Sequence, residues 1–104
     1  MARTVIWTEA AVDDISGVAE FIARDSRFYA AALVRESRAA ALSLRHFANR
    51  GRIVPEADSS AIHEIFIKHY RLIYLVTETS VCILAFVHGA RDLTPLLDKL
   101  ERPK

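Results

Sequence analysis

The stretch HYRLIYLVTETSVCILAFVHGARDL, residues 69–93, carries the fold. Two runs, YRLIYLV and SVCILAFVH, are apolar at nearly every position and rich in β-branched and aromatic residues, which suits strands. TETS between them supplies a short turn, so the two runs pair as an antiparallel hairpin. Strands apolar on both sides are covered on both faces. One cover is expected from helices of this chain and the other from a partner. In an antiparallel pair the end of one strand lies beside the start of the other, so Arg71, His88 and Arg91 are expected to gather at one rim.

Working outward, AIHEIFIK (residues 61–68) reads as a third strand, joined to the first of the pair by a turn at His69. ANRGRIVPEADSS before it reads as a loop, with Gly51 as a helix terminator and Pro55 barring continuation of either element. Further back, Leu33, Ser37, Ala40, Leu44 and Phe47 recur at spacings of four and three, which predicts a helix starting near Arg27. Ala11, Ile15, Val18, Ala19 and Ile22 predict another over residues 9–24, with Thr8 as N-cap and Glu9 in the first turn. RDSR separates the two helices, Asp25 or Ser26 caps the second, and so short a link makes an antiparallel α-hairpin. TVIW (residues 4–7) is a short strand that pairs at an edge or inserts beside a later strand. After the hairpin, Leu93, Leu96, Leu97 and Leu100 line one side of a closing helix with Pro95 in its first turn.

The element order is therefore β-α-α-β-β-β-α, and the fold class α+β: an N-terminal strand, then a helical hairpin packed on an antiparallel sheet. With 104 residues, all of residues 1–104 are assigned to one domain. The net charge is +1, so no global field draws nucleic acid. The single cysteine, Cys82, rules out an internal disulfide and a cysteine-based zinc site, and its apolar neighbours make it a buried small hydrophobe. No apolar run approaches the ~20 residues of a membrane span, and the N-terminus lacks a secretory signal, so a cytoplasmic location is expected. No metal cluster, phosphate-cradling loop or nucleophile elbow is visible, and no cofactor or metal is expected.

Arg71 is the anomaly of the apolar strands. A guanidinium stays charged, so it needs a carboxylate such as Glu64 or Glu56, a groove or a phosphate. Arg71, His88 and Arg91 together would make an anion site. Arg50 and Arg52, around Gly51, and Lys68 extend a basic surface for a target. Arg71, His88, Arg91 and Glu64 are the candidates for any catalysis, the arginines stabilising charge while His88 or Glu64 moves protons.

The chain resembles the RelE/ParE toxin superfamily over nearly its whole length, and is closer to the ParE-like branch. The likeness lies in VIWTEAAVDDISGVAEFIARDS, GRIVPE, IHEIFIKHYRLIYLV and ILAFVHGARDL, in that order and spacing. It implies the fold read above, and the toxin of a bacterial type II toxin–antitoxin pair of the plasmid-stabilisation kind. It also implies an antitoxin that wraps the toxin and forms a hetero-oligomer with it. This partner is expected to be acidic and to fold on binding, covering Ile15, Ile22, Leu33, Phe66 and Ile73. RelE-like members cleave mRNA on the ribosome without a metal, whereas ParE-like members are associated with inhibition of DNA gyrase. Arg71 in HYRLIY matches the strand arginine of the ribonuclease branch, and Arg91 lies near its second arginine. DLTPLL has no aromatic residue where that branch often has a tyrosine, and IHEIFIK offers Lys68 in place of its lysine pair. These departures favour gyrase inhibition without catalysis. Ribosome-dependent mRNA cleavage through a metal-independent Arg/His site is the alternative.

Overall fold

A computed structural model describes residues 2–101, apart from the side chains of Leu100 and Glu101. Leu100, expected on the apolar side of the closing helix, thus falls outside the described side chains. The elements are β1 (Thr4–Trp7), α1 (Glu9–Ala23), α2 (Arg27–Ser43), β2 (Arg52–Ile53), β3 (Ile62–Ile67), β4 (Tyr70–Val76), β5 (Ser80–His88) and α3 (Thr94–Glu101). One five-stranded sheet runs in the order β1-β5-β4-β3-β2. The α+β architecture expected from the sequence is present, with β2 added inside the segment read as loop. A two-residue strand has no periodicity of its own and exists because Arg52 and Ile53 pair with Glu64 and His63.

The helices begin where their caps place them. Thr8 Oγ1 accepts the N–H of Ala11 at 3.1 Å, and Ser26 Oγ accepts that of Tyr29 at 3.1 Å, each satisfying a donor the helix leaves unpaired. The helix α2 ends at Ser43, short of Phe47, which is exposed instead of continuing the apolar stripe. Gly51 lies well past that end and terminates no helix. A side chain there would run into Glu64 O, the Tyr74 hydroxyl and Ile65, so glycine lets two backbone segments approach. Its N–H donates to Tyr74 Oη at 3.1 Å, and that hydroxyl donates to Ala48 O at 2.9 Å.

β1 runs parallel to β5 along one edge, with Val5 opposite Val81 and Trp7 opposite Ile83. β5 is longer than β1, and beyond Trp7 the N–H of Phe86 is taken by Asp14 Oδ2 of α1 at 3.0 Å. The antiparallel ladder of β4 and β5 has a bulge. Ile73 pairs with Ala85 and Tyr74 with Ile83, so Leu84 is the extra residue.

The sheet has a core on each face. On one, α1 and α2 bury Leu33, Leu44, Ile65, Leu72, Tyr74, Ile83 and Phe86. On the other, α3 and the β2–β3 segment bury Val54, Ile73, Ala85, Val87, Leu93 and Leu97. The second face was expected to await a partner. It is covered in its middle by the chain itself, and Ile6 and Phe66 remain exposed toward its two sides. Cys82, expected to be buried, is only half-buried.

Candidate functional site

Arg71 enters β4 opposite Val87, on the face that α3 covers. The residue is only 7% exposed, and every nitrogen of its guanidinium is engaged. Nη1 donates to Glu56 Oε1 at 3.1 Å and to Glu64 Oε1 at 3.0 Å, while Nη2 donates to Glu56 Oε2 at 3.1 Å. Nε donates to Gly89 O at 3.0 Å, and Nη2 also reaches Arg91 O at 2.9 Å. The paired fork onto Glu56 is the bidentate geometry that suits a planar guanidinium. Glu56 also accepts the N–H of Leu93 at 3.3 Å. Four segments thus meet at one cation: the β2–β3 segment, β3, β4 and the turn leading into α3.

The second carboxylate, Glu64, is 1% exposed and lies between Arg71 and Arg52, whose Nε pairs with its other oxygen. The burial of this carboxylate is compensated by guanidinium partners on both sides. Hydrogen bonds from Arg71 hold the Glu56 carboxyl below its ordinary value. Hydrogen bonds to Glu56, with help from Glu64, raise Arg71 further above the neutral range against the opposing cost of burial.

The expected gathering of Arg71, His88 and Arg91 does not form. His88 pairs with Tyr70 and lies edge-on to its ring at 5.6 Å, toward the helix-covered face, opposite to Arg71. Were Leu84 paired with Ile73 as an ordinary residue of the ladder, the strands would pair one step differently, and Arg71 and His88 would share a face. Instead His88, Arg91 and Tyr70 line an open cleft of about 470 Å³ against Asp13, Asp14 and Phe21 of α1. His88 Nδ1 accepts the N–H of Ala90 at 3.1 Å. Glu64, a candidate proton carrier, is buried between Arg71 and Arg52.

The other expected target contacts are on the surface. Arg50 is exposed, with Nη1 donating to Ser43 Oγ at 2.7 Å. Arg52 stacks its guanidinium over the exposed Phe66 ring at 5.5 Å. Lys68 stands in the β3–β4 turn with φ 55° and meets Glu36 at 3.4 Å. Of the residues expected to meet an antitoxin, Phe66 is exposed, Ile22 is half-buried and Ile15 lines a surface gap beside Trp7, while Leu33 and Ile73 are buried in the chain's own cores. Apolar periodicity marks the face a helix or strand buries rather than the one it offers.

The helical hairpin has a second surface that periodicity missed. At its tip Phe21, Phe28 and Tyr29 are exposed, Phe28 by 72%, and the rings of Phe28 and Tyr29 meet edge to face at 5.7 Å. From there a trough runs between the helices over a floor of Ala23, Ala30 and Ala31, flanked by Arg27 and Arg35. It continues past Val34 to Arg38, Val12 and Trp7, and ends against Val5 and Leu42. Alanines allow close approach, and Arg27, Arg35 and Arg38 outweigh Glu20 to leave the trough net positive. The three aromatics clustered within residues 21–29 are the signal in the sequence that marks it.

A family model for the ParE toxin of the type II toxin–antitoxin system parDE matches residues 5–93. The chain belongs to the ParE toxin family. In fold, this ParE-family toxin is similar to a solved chain of the chromosomal ParDE toxin–antitoxin system from P. aeruginosa, with a TM-score of 0.68. Sequence identity is 16%, and the match covers 84% of this chain and 96% of that one. No curated protein matches the chain. The family expected from the sequence is thus the family found, and membership implies a cognate antitoxin. No helix of the described residues is long and apolar enough to cross a membrane.

Proposed function

We propose that this ParE-family toxin arrests bacterial growth by binding DNA gyrase, without catalysing a reaction. The observation that carries this reading is the state of Arg71. A strand arginine that stabilised a phosphorane would have to face substrate, and here its guanidinium is spent on Glu56, Glu64 and two backbone carbonyls. With Glu64 also enclosed and His88 on the opposite face, the strand arginine has no exposed base beside it, and the cleft that His88 and Arg91 line also holds Asp13 and Asp14, which repel a phosphate. Arg50, Arg52, Lys68 and Arg91 remain on the surface as contacts for a protein target, while Arg71 supports them from beneath by fixing the turn that carries Arg91.

In the same reading an acidic antitoxin neutralises the toxin in the cytoplasm by folding onto the arginine-flanked trough of the hairpin. Phe21, Phe28 and Tyr29 anchor its apolar side. The complex is a hetero-oligomer.

The test uses purified toxin in two assays: supercoiling by purified gyrase, and cleavage of mRNA on translating ribosomes. Loss of supercoiling with intact mRNA is the expected result. Cuts in mRNA at the ribosome with normal supercoiling would replace this reading with the ribonuclease one.

A further inference from the structure

Phe66 is the one exposed residue of β3, and two anchored neighbours hold its ring. Exposure alone says little, since single apolar side chains are common at protein surfaces. The way this ring is fixed says more. The Arg52 guanidinium lies over it at 5.5 Å, and Arg52 Nε is anchored on the buried Glu64. Gly89 packs against the ring so closely that a methyl there would come within 3.1 Å of Phe66 Cε2 and 3.0 Å of His69 O. Gly89 is anchored in turn, its O accepting from Arg71 Nε at 3.0 Å and its N–H donating to His69 O at 2.7 Å. Glu64 Oε1 accepts from Arg71 Nη1 at 3.0 Å, so one buried arginine fixes both neighbours of the ring.

We infer that Phe66 is the aromatic anchor of the target contact, a ring fixed in advance to enter an apolar pocket on gyrase. This role rests on the reading that the toxin acts by binding gyrase, and adds the residue that enters the target and a purpose for the buried clasp. Aromatic rings and arginines are enriched at the cores of protein interfaces, and a few such residues carry most of the binding. A ring already held in its bound orientation loses little freedom on docking. The surroundings select the occupant. Arg52 and Arg71 oppose Glu56 and Glu64, so the charges of the clasp cancel and a phosphate backbone gains little there. β2, two residues long and followed closely by Pro55, blocks a second copy from extending the sheet beside Phe66. Position separates Phe66 from the antitoxin. Phe66 pairs with Arg71 and shares its face, on which α3 packs, whereas the trough lies in the helical hairpin on the opposite face.

The test compares Phe66→Ser with the unmodified toxin in gyrase supercoiling, growth arrest, antitoxin binding and thermal melting. Phe66→Ser is expected to raise the toxin concentration for half-inhibition of supercoiling by about tenfold or more, and to relieve growth arrest. Its antitoxin affinity is expected to be unchanged and its thermal midpoint to move by less than about 4 °C. Phe66→Leu, which keeps apolar bulk and loses the ring, decides the matter if Phe66→Ser misfolds. Arg52→Lys keeps a cation beside Glu64 and removes the planar stack, so it is expected to weaken inhibition by about threefold. With Phe66 already replaced by serine, Arg52→Lys is expected to cost nothing further. An equal cost in both backgrounds would show that Arg52 does not act through the ring. Full inhibition by Phe66→Ser and Phe66→Leu would overturn the anchor and leave the gyrase reading standing. If the unmodified toxin leaves supercoiling untouched while its growth arrest still depends on Phe66, gyrase is the wrong target and the anchor stands for another protein. A toxin without effect on supercoiling or growth overturns both. Antitoxin affinity lost with the ring, oligonucleotide binding that depends on it, or self-association of the free toxin that Phe66→Ser abolishes would each overturn the anchor as well.

Discussion

Arg71 and His88 lie one register step apart on neighbouring strands and face opposite sides of the sheet. Arg71 goes under α3 into a carboxylate clasp, and His88 goes to the helical hairpin beside Tyr70. The consequences of that separation can be measured.

Removing Arg71 leaves Glu64 facing an empty side. Arg71→Met is expected to destabilise the fold by about 3–5 kcal/mol, the usual cost of stranding one member of a buried ion pair. The double variant Arg71→Met with Glu64→Leu should lose clearly less than the sum of the single changes. Urea unfolding of the set checks this, and a loss below about 1 kcal/mol for Arg71→Met would show that the clasp contributes little.

Acid should loosen the same clasp. Hydrogen bonds from Arg71 place the Glu56 carboxyl below its ordinary value of 4.5 in the folded chain. A depressed folded value means that its contribution is complete above 4.5 and is lost as pH falls through the folded value. Asp92, held down chiefly by the N–H of Thr94, acts with the same sign at the surface. Thermal midpoints followed from neutral pH into acid should therefore fall below about pH 4.5. Glu56→Gln should start lower and show a shallower acid limb. An acid limb identical to that of the unmodified chain would remove Glu56 from the account.

Ser37 is fully buried in α2, and its hydroxyl has no hydrogen-bond partner. Ser37→Ala takes away an unsatisfied polar group and improves helix propensity, so a gain of about 1 kcal/mol is expected. Chemical denaturation reads it, and a loss of stability would mean that the hydroxyl is satisfied in solution.

Tyr74 links the segment after α2 to the sheet through Ala48 O and Gly51 N. Tyr74→Phe keeps the ring and strands both groups, for an expected cost of about 1–3 kcal/mol. Gly51→Ala should cost at least as much as Tyr74→Phe, because the added methyl meets Glu64 O and the Tyr74 hydroxyl. Nearly unchanged unfolding midpoints for both would contradict the close approach.

The hairpin aromatics should behave in the opposite way. Phe21→Ser, Phe28→Ser and Tyr29→Ser alter exposed rings, so each is expected to change stability by no more than about 0.5 kcal/mol. Together they should weaken antitoxin binding by about tenfold or more, as loss of aromatic anchors does. Titration calorimetry beside thermal melts separates the two effects.

The parts of this molecule that depend on local chemistry can be read from its sequence. Thr8 and Ser26 announce their helices because an N-cap is a short-range device, and the apolar runs of β4 and β5 announce a buried hairpin. The strand β2 is hidden because it exists only through its pairing with β3. The fate of Arg71 is also hidden, although its demand for Glu56 or Glu64 is visible. Its face, shared with Glu64, is set by the register of β3 and β4, while the register of β4 and β5 decides whether His88 joins it, and nothing in SVCILAFVH distinguishes Leu84 as surplus. The hairpin trough escapes a search for apolar periodicity because its floor is alanine and its anchors sit at the tip.

Leu84 therefore has an influence out of proportion to its own contacts. In a sheet that counts its residues in twos, a lone insertion would exchange inside for outside downstream in the strand, and the bulge absorbs it instead. Deleting Leu84 would straighten β5 while leaving His88 opposite Tyr70 and Val87 on the core beneath α3. Close relatives with a one-residue gap at this point would then carry the same charged side chains on the same sides, and alignments that place the gap elsewhere in the strand would exchange them wrongly.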